Sequence, residues 1–130
     1  LKVAQENARL HRVEERILFL QSDLWENVMG AFDLIISNPP YIPTADLATL
    51  TREVQHEPRL ALDGGADGYA VTRPLCEAAD GYLKPGGLLA LELCKDQPWP
   101  LARGLMEIGW KAEVKKDIFN VERFVFARKN

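Results

Sequence analysis

Metal-ligating and redox chemistry find little to work with in this sequence. Its 130 residues hold two cysteines, Cys76 and Cys94, and two histidines, His11 and His56, with no CxxC pair and no Cys/His spacing. A metal site is not expected, and two free thiols fit a reducing cytoplasm. No apolar run approaches the roughly 18 residues of a transmembrane helix and no signal-peptide pattern is visible, so neither a membrane partner nor export is expected. An excess of one charge sign is missing too. The formal net charge is −3, which does not advertise direct nucleic-acid binding. The basic residues gathered late in the chain (Lys111, Lys115, Lys116, Arg123, Arg128, Lys129) read as the solvated edge of a sheet. Also lacking is a glycine-rich turn leading from a strand into a helix. Gly64-Gly65 falls inside a long loop, and Gly86-Gly87 leads from a helix into a strand. That is the wrong polarity for a cofactor phosphate or carboxylate at a helix N-terminus.

What is present is ordinary globular material, 47% hydrophobic and 27% charged, enough for one domain. Leu1 to about Arg12 reads as an amphipathic helix with Leu1, Ala4 and Ala8 on one face. It begins without a cap and without Met, which reads as a fragment or processed product. Arg16–Ser22 (RILFLQS) reads as a short buried strand ending at Asp23. Phe32–Ser37 reads as a second, near-continuously apolar strand of the kind found in parallel sheets covered on both faces. Residues 38–66 form a long Pro-, Gly- and Asp-rich loop with a helical turn near Leu47–Val54, and a loop of that length is usually functional or mobile. A helix follows over Tyr69–Leu83, with Leu75, Ala79, Tyr82 and Leu83 on one face, stopped by Lys84-Pro85-Gly86-Gly87. Leu88–Leu93 is a third strand, Pro98–Ile108 a helix ending at Gly109, and Trp110–Asp117 with Arg123–Arg128 a terminal antiparallel pair. Strands alternating with helices predict an α/β domain with a mostly parallel sheet.

The segment with chemistry in it is Asp33-Leu-Ile-Ile-Ser-Asn38-Pro39-Pro40-Tyr41. A short apolar strand delivers an Asn and two prolines to its carboxyl end, where open α/β sheets place ligands. Pro39 and Pro40 carry no N–H, so this backbone offers carbonyl acceptors without competing donors. A residue before proline is pushed towards extended geometry, so Asn38 and Pro39 are stiff before any ligand arrives. The Asn38 side-chain oxygen and a neighbouring carbonyl can accept the two protons of a planar –NH2 group, and Tyr41 offers an aromatic wall beside it. Taken alone, Asn-Pro-Pro can also simply break a strand.

The wider context narrows these readings. Ile36-Ser-Asn-Pro-Pro-Tyr-Ile-Pro43, Glu53-Val54, Glu57-Pro58, Ala61-Leu-Asp-Gly-Gly-Ala-Asp-Gly68, Leu83-Lys-Pro-Gly-Gly87 and Leu91-Glu92 occur in order across essentially the whole chain. In this the sequence resembles the HemK/PrmC family, the glutamine N5-methyltransferases that modify peptide chain release factors. The resemblance implies an α/β, Rossmann-like class I S-adenosylmethionine-dependent methyltransferase fold, incomplete at its N-terminal side. Residues 1–130 would be the C-terminal portion of a single catalytic domain. Asn38, Pro39, Pro40 and Tyr41 would hold the acceptor glutamine, with Asn38 also near the methionine part of S-adenosyl-L-methionine. Asp23, with Leu24, matches the acidic position that contacts the donor's adenine; read from the residues alone, Asp23 is equally a helix cap or turn residue. Glu53, Glu57-Pro58 and Asp63-Gly64-Gly65 would shape the loop over the substrate, though any one of them alone reads as a solvated turn. The expected partner is a release factor in the cytoplasm.

The same resemblance locates what is missing. Family members carry a glycine-rich donor turn and an acidic strand end ahead of the region seen here, on two strands that lie between RILFLQS and FDLIIS. Without them, both strands expose apolar edges. Either a preceding segment or self-association with another chain is then expected to complete the sheet. Glu92-Leu93-Cys94 stands where the family usually has Glu-Ile-Gly. The alternatives are an adenine N6-methyltransferase, a ribosomal-protein glutamine methyltransferase, and an inactive partial domain serving as a binding or oligomerisation module.

Overall fold

The computed structural model describes residues 1–129. Helix α1 spans Lys2–Leu10. A single 3-10 turn follows at Glu14–Arg16, then strand β1 at Phe32–Ser37. The long loop holds a 3-10 helix at Thr44–Thr49 and two one-turn helices, α2 (Arg52–Gln55) and α3 (Arg59–Leu62). Helix α4 (Thr72–Tyr82) runs directly into strand β2 (Leu83–Glu92). Helix α5 (Pro98–Glu107), strand β3 (Trp110–Lys116) and strand β4 (Glu122–Lys129) complete the described chain.

The four strands form one sheet in the order β1-β2-β4-β3. β1 lies parallel to β2, with Ile35 opposite Leu89 and Ser37 opposite Leu91. β2–β4 and β4–β3 are antiparallel. The expectation of a mostly parallel sheet is therefore corrected: one pairing of the three described is parallel. The strand that follows Gly87 begins five residues earlier than expected. Leu83 already pairs with Phe32, and Lys84–Gly87 bulge out before pairing resumes at Leu88, so the turn residues there distort a strand instead of ending it.

One face of the sheet holds the core. Leu89 and Leu91 of β2 and Val125 and Ala127 of β4 meet Leu75, Cys76 and Ala79 of α4 and Ala102 and Leu105 of α5, with Trp110 among them. Apolar residues at i, i+3 or i+4 on both helices account for this packing. Pro98 at the start of α5 fits the first helical turn, where a missing N–H costs nothing. On the opposite face Ile36, Ala90 and Phe126 form a cross-strand row. Ile36 is 76% exposed and Leu34 50%.

Two sequence expectations fail here for one reason. Arg16–Ser22 is not a strand: Ile17–Ser22 carries no strand assignment, and Ile17, Leu18 and Leu20 are 42%, 88% and 42% exposed. Ile17 does adopt extended dihedrals (φ −122°, ψ 123°). The local preference is expressed, but a strand needs a neighbour to bond, and none of the described residues supplies one. In α1, of the face Leu1, Ala4 and Ala8, only Ala8 is buried.

Candidate active site at the carboxyl end of β1

Asn38 follows the last residue of β1 and is exposed, Pro39 is buried, and Pro40 and Tyr41 are half-buried. The four therefore leave the sheet as one stiff projection with its amide outward and its prolines anchored. Asn38, Pro39 and Tyr41 line a cavity of about 540 Å³ together with Leu50, Val54 and Glu57. On the other side of Asn38 lies a smaller groove of about 260 Å³, lined by Ile36, Ala90, Glu92, Phe124 and Phe126. Asn38 is the residue common to both.

The long loop is not slack. Ile42 bridges to Asp63 in parallel register. Its N–H donates to the Leu62 carbonyl at 3.0 Å, and its carbonyl accepts the Gly64 N–H at 2.8 Å. The Thr44 hydroxyl donates to the Asp63 carboxylate at 2.6 Å and the Gly65 N–H donates to it at 3.0 Å. Arg59 pairs with the other carboxylate oxygen at 2.9 Å. Together these bonds hold the Asp63 carboxyl below the usual carboxylate range, the Thr44 hydroxyl first among them. Gly64 and Gly68 allow close approach to Tyr41. A Cβ on Gly64 would stand 2.8 Å from the Tyr41 Cα, and one on Gly68 would collide with the Tyr41 carbonyl and the Gln97 amide.

Charge around Tyr41 is mixed. Partial burial, and then the carboxylate of Glu92, raise its phenol pKa against a smaller lowering by Arg123, with lesser raising by Cys94 and Glu57. Tyr41 is therefore a neutral hydroxyl at any physiological pH. Its carbonyl is already used, accepting from the Gln97 Nε2 at 3.0 Å, and the Ile42 carbonyl is used as well. Among the described residues, no turn or side-chain hydrogen bond takes up the carbonyls of Asn38, Pro39 and Pro40.

Of the residues singled out from the sequence, Asn38, Pro39, Tyr41 and Glu57 converge on one cavity, and Pro40 lies between them. Asp63-Gly64-Gly65 closes the loop behind them, while Glu53 sits exposed on α2. Asp23 and Leu24 are not brought to the cavity. Leu24 and Trp25 pack on the core, and the Trp25 ring stacks on Tyr82 at 4.2 Å between centroids. Tyr82 immediately precedes the start of β2, whereas Asn38 stands beyond its paired far end. The residue that sequence reasoning missed is Gln97, whose contacts link positions far apart in the chain.

A family model described as "Methyltransferase small domain" matches residues 1–66, a span that includes α1, β1, Asn38-Pro39-Pro40-Tyr41 and the folded loop. The chain belongs to this methyltransferase family. Along the chain it is 47% identical over 129 residues to the release factor glutamine methyltransferase of Deinococcus radiodurans, covering 99% of this chain and 46% of that protein. It is 46% identical over 132 residues to the release factor glutamine methyltransferase of Rhodospirillum rubrum, covering 99% of this chain and 40% of that protein. The resemblance read from the motifs is thereby confirmed. The chain spans slightly under half the length of these relatives. Among solved structures, the ribosomal protein L11 methylase of Lactobacillus delbrueckii subsp. bulgaricus superposes with a TM-score of 0.66 at 18% identity, over 99% of this chain and 52% of that one. The methyltransferase fold of this domain is shared with it.

A methyl donor is implied by the family. The Asn38 projection, open to a groove on either side, suits a residue that must meet two ligands. The described residues do not add a second donor contact beside it, because Asp23 lies with Trp25 at the other end of the sheet.

Proposed function

We propose that this chain carries the acceptor side of an enzyme that transfers a methyl group to the side-chain amide nitrogen of a glutamine in a peptide chain release factor. The observation that carries this reading is the exposed Asn38 amide. It stands on a proline-stiffened projection over a cavity of about 540 Å³, in a chain whose relatives are named release factor glutamine methyltransferases.

The chemistry asked of these residues is alignment. An amide nitrogen is a weak nucleophile because its lone pair is delocalised into the carbonyl. The Asn38 side-chain oxygen accepts one proton of the glutamine –NH2, and a carbonyl of the Asn38–Pro40 backbone accepts the other. The nitrogen is thereby turned so that its lone pair faces away from the grip, with the amide plane against Tyr41. Orientation of this kind supplies up to about 7–11 kcal/mol in favourable cases. No base of special pKa is needed, because the nitrogen can release its proton as or after the new bond forms. S-adenosyl-L-methionine, when bound, supplies the electrophilic methyl group, and Asn38 would contact its methionine part. Asp23 as the adenine contact belongs to the same proposal and requires Ile17–Asp23 to pair as a strand on the Asn38 side. A cytoplasmic location goes with a release-factor substrate.

Labelled-methyl transfer tests the reading. The intact enzyme that contains this chain, with its donor side present, should label a release factor and leave ribosomal proteins and adenine-containing DNA unlabelled. Label on DNA instead, or on a ribosomal protein instead, would replace the assigned acceptor, and no transfer to any of the three would overturn the activity.

A further inference from the structure

Three segments far apart in the sequence meet at one residue. Gln97, only 8% exposed, follows the turn after β2 and immediately precedes α5. Its Oε1 accepts the Cys94 N–H at 3.0 Å, and its Nε2 donates to the Tyr41 carbonyl at 3.0 Å. Its own backbone carbonyl accepts the Tyr69 hydroxyl at 3.1 Å. The amide is used at both ends, oxygen towards residue 94 and nitrogen towards residue 41, so its orientation is fixed. An ionised carboxylate of the same size has no donor for Tyr41, and a leucine has neither donor nor acceptor.

The surroundings leave Tyr41 little room to move. Gly64 packs on its Cα, and Gly68, at φ +79°, packs on both its carbonyl and the Gln97 amide. The two residues before Tyr41 are prolines, so holding the Tyr41 carbonyl holds the end of a stiff segment whose other end is Asn38. We propose that Gln97 is the positioning residue of this loop, setting where Asn38 and Tyr41 stand relative to an acceptor amide while touching no reacting atom. The proposal rests on the reading of Asn38–Tyr41 as an acceptor grip.

The experiment compares the intact enzyme that contains this chain with its Gln97→Leu and Gln97→Glu variants in two measurements: pH-dependent methyl transfer to a release factor, and amide hydrogen exchange. Gln97→Leu should lose about 100-fold in kcat, the scale on which a displacement of about 1 Å in a catalytic constellation acts. It should also lose exchange protection at Ile42 and Thr44 while β3 and β4 keep theirs. Gln97→Glu should be as impaired at neutral pH, where a carboxylate oxygen faces the Tyr41 carbonyl. It should recover as pH falls and the protonated carboxyl donates to that carbonyl, a profile that neither wild type nor Gln97→Leu shows. Wild-type kcat in Gln97→Leu, or a Gln97→Glu profile parallel to wild type, would overturn the proposal. Should the intact enzyme that contains this chain transfer no methyl group to a release factor, the acceptor reading fails, and amide exchange alone decides the positioning role of Gln97. Lost protection at Ile42 and Thr44 supports it, and unchanged protection there rejects it.

Discussion

At the scale of single residues, burial decides which groups can react and which positions tolerate change. Cys76 sits in the core, where desolvation, reinforced by Glu77, pushes its thiol up to about 12. Cys94 is half-exposed. Alkylation of the native chain near neutral pH should therefore label Cys94 and spare Cys76, with both labelled in denaturant, as peptide mass mapping would read. Gly68→Ala should destabilise the chain by roughly 1–3 kcal/mol, because a Cβ there meets the Tyr41 carbonyl and the Gln97 amide at a backbone conformation side chains rarely adopt. Thermal unfolding of this variant against Gly81→Ala, where a Cβ meets nothing within 4 Å, checks it. Asn38, Pro39, Pro40 and Tyr41 were legible in the sequence because proline stiffness and amide hydrogen bonding are properties of the residue itself. Gln97 was not, since nothing at position 97 announces a partner at position 41.

At the scale of elements, the same distinction separates what local pattern specifies from what needs a neighbour. β1 falls on its expected residues, the α5 and β3–β4 boundaries fall within a residue or two, and α4 starts three residues late. Apolar periodicity and Pro/Gly punctuation mark such elements. Ile17–Ser22 has an equally apolar pattern and is not a strand, because its hydrogen bonds would have to go to chains of residues absent from its surroundings. The loop over the site lies between these cases. Its length suggested mobility, yet Asp63 ties it shut through Thr44, Gly65 and Arg59. A carboxyl whose pKa is lowered by folding stabilises the fold above its unfolded value, near 3.9, and that contribution fades as pH falls through the lower folded value. The N–H groups of Thr44 and Gly65 should therefore lose protection as pH falls below about 4, before those of Leu89 and Leu91 do. Asp63→Asn should show the weakened protection at neutral pH and little further change on acidification.

At the scale of the whole molecule, the two edges of the sheet formed by the described residues differ. β3 closes one edge with exposed lysines, while β1 forms the other edge with Leu34 and Ile36 exposed, a surface that invites pairing. The 130-residue chain studied alone should associate with rising concentration in sedimentation experiments, and Ile36→Lys should shift it towards monomer; a monodisperse 14.6 kDa species at all concentrations would contradict this. The β1 edge also explains why the acceptor side of the site was readable from the sequence and the donor side was not. The acceptor grip is one continuous run at the end of β1, whereas a donor site draws on separate strands that must first pair. The central claim is that the Asn38 amide grips the acceptor. It is tested most directly by the rate of labelled-methyl transfer to a release factor, compared between the intact enzyme that contains this chain and its Asn38→Ala variant at matched folding. The account predicts a loss of about 100-fold or more in Asn38→Ala. Transfer at the wild-type rate in that variant would contradict it.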